Sequence, residues 1–398
     1  MTIQSKDFKK LLIASERNVR TRNWQISADR LTPECRFPWR IKKTVLRGGK
    51  QEDVDLISVH NGNLGFSIIP TRGMGLLKAE MDGIRIGWDS PVKEVVHPRQ
   101  INLESRGGLG WLEGFNELVV RCGLESAGAP GRDNFVTNTG SVAEMDLTLH
   151  GKIANTPASR LEVAVGRNFP NRIRVLGQVE ETMLFGPNFL LDTEISTLPG
   201  SNSVRIEDVI TNRSGLNREF QLIYHCNFGP PILEKGSRIE APFRKVFPIN
   251  HHSAAGIHEF DRLGGPTGNF IEQVYCAELN CDRDGRSSVL LRNQAGDQAV
   301  RMEISVSQLP CLTIWKNTAS VEDGYVVGIE PGTGFPFNRK IERDFGRVPQ
   351  IGPGERRRFE IDITVLNTKD SVEMESNNIR EIQAGRECQV DESPPNLE

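Results

Sequence analysis

The sequence predicts an all-β protein, a sandwich or barrel, and three observations carry that reading. Short runs alternate apolar and polar residues with period two, clusters of turn-forming residues separate the runs, and long helical periodicity is scarce after the first segment.

Each element follows from its local pattern. Between Asp7 and Val19, apolar Phe8, Leu11, Leu12, Ile13 and Val19 stand among Lys, Arg and Glu, which predicts one short amphipathic helix. Leu161, Val163 and Val165 alternate with Glu162 and Ala164, and Val204 and Ile206 with Arg205 and Glu207. Phe359, Ile361, Ile363 and Val365 alternate with Glu360, Asp362 and Thr364. Successive side chains of a strand point to opposite faces, so these runs read as half-buried strands. Turns are expected at His60–Asn63 (HNGN), Met81–Gly83 (MDG), Leu198–Asn202 (LPGSN) and Ile351–Glu355 (IGPGE). No internal repeat and no alternation of strands with long helices is visible, which disfavours a doubly wound parallel sheet. No linker stands out. The expected organisation is an N-terminal extension with the short helix over 1–40, one large β-domain over 41–368, and a polar, partly disordered C-terminal surface extension over 369–398.

A chain of 398 residues can bury a sizeable core without a disulfide or metal staple. Charged residues make up 25% and hydrophobic ones 37%, as in ordinary soluble proteins. The 49 basic and 52 acidic residues leave a net charge of −3, which argues against a nucleic-acid or polybasic membrane partner. The cysteines (35, 122, 226, 276, 281, 311 and 388) are odd in number, widely spread and free of any CxxC pair. A reducing compartment fits them better than a disulfide framework or a structural zinc site. No apolar run suits a signal peptide or a spanning helix, so a cytoplasmic protein is expected.

Four segments place polar residues in apolar or glycine-rich surroundings. In IIPTRGMGLL, Arg72 sits in a turn after a strand, either satisfied by nearby carbonyls or offering a fork of donors to a substrate. The segment Gly107–Gly131 is rich in glycine and carries Trp111, Glu113, Asn116, Glu117 and Arg121. An aromatic beside polar loop residues suits a sugar, although an ordinary structured loop reads the same way. The histidines of LTLHGK and LIYHCNFG are the third feature. His150 is in phase with Asp146 and Thr148, and His225 with Asn227, so each would project from the more polar side of a regular strand and could exchange a proton near neutral pH. His251 and His252 are adjacent and would point apart in an extended segment, which does not favour a shared metal. In YVVGIEPGTGFPF, Glu330 ends an apolar strand, a suitable place for a general base over a cleft. Asp208 shares the parity of Val204 and Ile206, as a buried anchor or a ligand contact. No GxSxG, HExxH or phosphate-loop motif occurs.

In order, NLGFSIIPTRGMGL, GLGWLEGFNELVVRCGLESAGAPG, LHGKIANTPA, IEDVITN, LIYHCNFGPPIL and GIEPGTGFP resemble the galactose mutarotase-like superfamily, the aldose 1-epimerases, and most closely a less characterised bacterial branch of it. The likeness runs from about Asn63 to Pro336. It implies a large antiparallel β-sandwich and a cofactor-independent enzyme that interconverts sugar anomers. It also implies His225 as general acid on the ring oxygen and Glu330 as general base on the anomeric hydroxyl. His150 and Arg72 would bind the sugar with Trp111, Glu113, Asn116 and Asn227, and Glu272 in NFIEQVYC is the candidate for a further carboxylate contact. The expected partner is a small carbohydrate, with no cofactor or metal, no nucleic acid and no membrane; a homodimer is compatible with the sequence. The glycine-rich block around Trp111 and the CNFGPP continuation depart from galactose mutarotases. Two alternatives therefore stand beside the epimerase: an isomerase or lyase on a keto-sugar or uronate, with Arg72 or Arg121 pairing its carboxylate, and a carbohydrate-binding protein without turnover.

Overall fold

Alternating burial along the strands builds two large sheets packed face to face. The computed structural model describes residues 7–396. One sheet has ten strands and the other thirteen. Neighbouring strands run antiparallel in both, apart from a short parallel pairing of Lys245 and Val246 with Gln389 and Val390. Strands Ile173–Thr182 and Ser203–Asn212 bury every second residue almost without exception. From the smaller sheet, Val175, Ile206, Ile210, Ile361 and Ile363 meet Ile57, Phe66, Leu222, Tyr224, Ile314 and Ile329 of the larger one in a common core. All four expected turn clusters join consecutive strands.

The larger sheet is buried on both faces at its centre, and this positions the site. Its central order is Gln273–Leu279, Cys311–Asn317, Val326–Gly332, Gln221–Phe228, Val119–Leu124. All eight residues of Gln221–Phe228 are buried. Leu222, Tyr224, Cys226 and Phe228 face the inter-sheet core. Ile223, on the opposite face, packs in a second cluster with Trp88, Trp111, Phe115, Val120 and Cys122. Strands buried on both faces read as continuous apolar runs, here broken by His225 and Asn227.

Several sequence expectations are corrected. Residues 7–19 form no helix: Phe8–Ala14 is a strand paired with Arg160–Val165, followed by a 3₁₀ turn at Ser15–Arg17. The three successive apolar residues Leu11–Ile13 imitate helical spacing because the ladder shifts register between Leu11 and Ile13. The short α-helix within the first forty residues is Ala28–Leu31 instead. The C-terminal stretch is more ordered than its polarity suggested. Lys369–Gln383 is a helix that buries Val372, Glu375 and Ile379, at spacings of three and four; Val372 and Ile379 pack with Leu290, Ala299 and Leu366, and Glu375 accepts from Ser288. Its N-cap is Thr368, whose side chain accepts from the Ser371 amide. No helix among the described residues is long and apolar enough to cross a membrane.

Candidate active site

The outer face of the larger sheet carries a cavity of about 400 Å³ lined by His150, His225, Glu272, Thr313, Glu330, Trp111 and Trp315, among others. His225 and Glu330 come from adjacent antiparallel strands. Cys226 pairs with Ile329 and Ile223 with Gly332, a register that sets His225 opposite Glu330. Their side chains meet with Nε2 of His225 3.2 Å from Oε1 of Glu330, both almost wholly buried. Glu330 is the fifth of seven residues in Val326–Gly332 rather than the end of a strand, because pairing with Cys311–Asn317 continues through Gly332.

Hydrogen bonding fixes the tautomer of His225. Nδ2 of Asn227 donates to the carbonyls of Glu117 (3.0 Å) and His225 (3.1 Å). Carbonyls only accept, so the amide cannot be flipped, and Oδ1 must be the atom facing Nδ1 of His225 at 2.7 Å. Nδ1 therefore carries the hydrogen, and Nε2, on the Glu330 side, is the nitrogen that gains or loses a proton. Burial, followed by the charge of nearby His150, holds His225 well below its ordinary pKa. Burial, followed by Glu272, holds Glu330 well above the usual carboxylate range. The pair thus favours an uncharged state, a carboxylic acid beside a neutral imidazole with one proton between them. Oε1 of Glu330 makes no aligned hydrogen bond among the described residues, and neither do the buried Oγ1 of Thr313 and Nε1 of Trp111 on the same cavity. Buried polar atoms without partners are costly, and a polyhydroxylated ligand would supply them.

His150 lies in a tight turn, not in the strand expected for it; that strand ends at Leu147. His150 and Gly151 both have left-handed φ, +59° and +68°. A Cβ on Gly151 would stand 2.1 Å from the carbonyl oxygen of Ser126, so glycine is required there. Nδ1 of His150 donates to the carbonyl of Ala127 at 2.8 Å, which leaves Nε2 as an acceptor, and burial lowers its pKa to about 4. Trp111, in the 3₁₀ turn Gly110–Gly114, packs on the edges of this site, 4.6 Å from the rings of Phe115 and His150 and 5.9 Å from that of His225. Trp315 stands 5.3 Å from His225 on the other side and donates from Nε1 to Glu272 at 2.7 Å.

Other expected contacts lie elsewhere. Arg72 does not line the cavity. It is fully buried, with Nε 2.6 Å from Oε1 of Glu117 and Nη1 donating to Asn155 and the Val96 carbonyl. Arg121 is equally committed: Asp208 accepts from its Nε at 2.5 Å and its Nη2 at 2.9 Å, and Tyr224 donates to the same carboxylate at 2.7 Å. Asp208 is accordingly a core anchor between the sheets. Asn116 donates to the carbonyls of Val92 and Glu94, and Glu113 accepts from Ser105; neither lines the cavity. Asn227 holds His225 instead of lining the cavity. His251 and His252 lie in the short helix His251–Ala254, not in extended chain. The helix cap Asn250, Thr313 and Trp315 line the cavity and escaped the sequence reading. Trp315 was detectable as an aromatic in the polar stretch IWKN, whereas Thr313 and Asn250 carry no local signal. Among the described residues no group of three or more His, Cys, Asp or Glu is arranged to hold a metal ion.

Comparison with known proteins bears on this arrangement. A family model described as a domain of unknown function, DUF4432, matches residues 51–365. No protein with a curated description matches the sequence. Among solved structures, a proposed aldose 1-epimerase from Klebsiella pneumoniae subsp. pneumoniae is 40% identical, covers 99% of this chain and 100% of its own, and superposes with a TM-score of 0.93. A galactose mutarotase-like protein from Clostridium acetobutylicum is 14% identical over 82% of this chain and 98% of its own, with a TM-score of 0.55. A galactose 1-epimerase from Lactobacillus acidophilus is 12% identical over 82% of this chain and 99% of its own, with a TM-score of 0.54. At those last two identities the likeness is one of fold.

Proposed function

We propose that this chain, which belongs to the DUF4432 family and has the galactose mutarotase-like fold, is a cofactor-independent aldose 1-epimerase. The observation that carries the reading is the buried contact of 3.2 Å between Nε2 of His225 and Oε1 of Glu330 at the wall of a sugar-sized cavity. Opening a hemiacetal ring removes a proton from the anomeric hydroxyl and delivers one to the ring oxygen. Glu330, as carboxylate, takes the first; His225, as imidazolium, gives the second from Nε2. Opening leaves Glu330 protonated and His225 neutral. Rotation about the bond to the freed aldehyde, then reclosure with both protons returning, yields the other anomer.

The resting pair favours the state that ring opening leaves behind, since burial raises Glu330 and lowers His225. Passing the proton from Oε1 to Nε2 across their contact restores the ring-opening state, and a bound sugar's hydroxyls would help to solvate the charges so formed. Asn227 keeps Nε2 as the exchanging nitrogen throughout. The two proton movements need no further group, and positioned acid and base supply about 10²–10⁴-fold in rate.

The test is anomer exchange by NMR saturation transfer across a panel of aldoses, with Glu330→Gln and His225→Ala as controls. Exchange above the buffer rate with the native chain, lost in either variant, supports the reading. Equal rates with and without protein across the panel refute it. The keto-sugar or uronate alternative loses its main support, because both arginines that could pair a substrate carboxylate are held by Glu117 and Asp208.

A further inference from the structure

The cavity is lined mostly by apolar residues. Ten of its sixteen lining residues are apolar, Leu109, Leu149, Ile249, Val274 and Pro336 among them. Among the described residues no lysine or arginine lines it, while two carboxylates do, those of Glu272 and Glu330. The nearby buried guanidinium groups do not line the cavity and are ion-paired, Arg72 with Glu117 and Arg121 with Asp208. The lining side chains that can bond a ligand's hydroxyls are few: Trp111, Thr313, His150, Asn250, Glu272 and the dyad itself. The dyad is used on the anomeric and ring oxygens, so only a handful of groups remain for the other hydroxyls.

We propose that the site takes an uncharged aldose with an apolar edge, a deoxy sugar, in preference to a uronate or a sugar phosphate. The proposal rests on the epimerase reading of the same cavity and narrows its substrate class. A carboxylate or phosphate entering this space meets the carboxylate of Glu272 and no lysine or arginine to pair with, and a charge taken out of water without a partner is costly. A hydroxyl pressed against the aliphatic wall loses water and finds no partner, which costs on the order of ten- to a hundredfold in affinity. A methyl or methylene at that position gains contact instead.

The experiment compares matched sets of one configuration: a 6-deoxyaldohexose, its parent aldohexose, the uronate and the 6-phosphate. Exchange NMR reads turnover, and saturation-transfer difference reads binding on the same samples. The expected result is a kcat/KM for the deoxy sugar at least about tenfold above its parent, with no acceleration for the uronate or phosphate. A parent sugar as good as the deoxy sugar, or a favoured uronate or phosphate, overturns the proposal. If no member exchanges, the epimerase reading falls and the binding order decides this one: deoxy sugar tightest upholds it, and any other order, or no binding, overturns it. Leu112→Arg supplies a cation at the rim, where that side chain is 47% exposed. It should move the uronate-to-deoxy binding ratio toward the uronate by up to about fivefold; an unmoved binding ratio removes the electrostatic part of the argument.

Discussion

Gly328→Ala would strike at the dyad without touching either member. Gly328 lies two residues before Glu330 on the same strand face, opposite Trp315 in the ladder. A Cβ built there would stand 2.5 Å from Oε1 of Glu330 and 3.1 Å from Cε3 of Trp315. Ordinary van der Waals contact begins near 3.4 Å, so the carboxylate must retreat by about 0.9 Å. The end of a glutamate side chain can do this cheaply, so the expected loss of stability is small, under about 1.5 kcal/mol. The contact with Nε2 of His225 is only 3.2 Å and cannot absorb such a shift. A misplacement of about 1 Å at reacting groups costs about a hundredfold in rate, or about 2.7 kcal/mol of barrier. The assay is anomer exchange on the best sugar of the panel, beside a denaturant midpoint. Full activity in a folded Gly328→Ala protein would show that the Glu330 carboxylate need not sit where it does, and the proton-sharing mechanism would fail with it.

Other expectations follow from the same geometry. Replacing His225 by Ala or Glu330 by Gln should lower kcat by about 10²–10⁴ with folding retained, and the double variant should lose little more, since the two act as one unit; fully multiplicative losses would show that they act separately. Arg72→Ala leaves the Glu117 carboxylate buried and unpaired, so it should cost about 3–5 kcal/mol of stability in a denaturant titration while KM of the folded fraction holds; a raised KM at unchanged stability would return Arg72 to the sugar. The pair works only with one proton, which His225 exceeds by taking a second as pH falls through its lowered pKa, and which Glu330 surrenders as pH rises through its raised one. The rate should therefore hold a plateau through neutral pH, and a descending acid limb centred at or above pH 6.5 would contradict it. Asn227→Asp sets a negative charge beside Nδ1, favours the imidazolium, and should move the acid limb to higher pH; an unmoved limb would remove Asn227 from control of the proton.

The β-architecture was legible because alternation is a local signal. Ser203–Asn212 and Arg356–Leu366 announce themselves in ten or eleven residues. The N-terminal strand was hidden by a register shift at Leu11, which places three apolar residues side by side. The C-terminal helix was hidden by its narrow stripe, in which the buried Glu375 stands between Val372 and Ile379. For the site, His225 and Glu330 were visible as polar residues inside apolar strands. Arg72 sent the same signal and meant something else. A charge in apolar surroundings marks either a ligand contact or a buried ion pair, and the partner that decides between them is remote: Glu117 is 45 residues from Arg72, and Asp208 is 87 from Arg121. Thr313 and Asn250 become site residues only when strand pairing and a turn bring them to the cavity.

The commitment of Arg121 to Asp208 is connected to the chemistry through strand parity. Tyr224 and His225 are neighbours on one strand and therefore face opposite sides of the sheet. Tyr224 reaches into the core and donates to Asp208, which also holds Arg121 of the adjacent strand, the residue paired with Tyr224 in the ladder. A slip of one residue would exchange the faces, driving His225 into the inter-sheet core and leaving the Asp208–Arg121 pair without its third member. The buried network on the core side thus penalises the registers that would dissolve the dyad on the outer side. Polar residues remote from the cavity thus help to hold the strand pairing that sets Nε2 of His225 against Glu330.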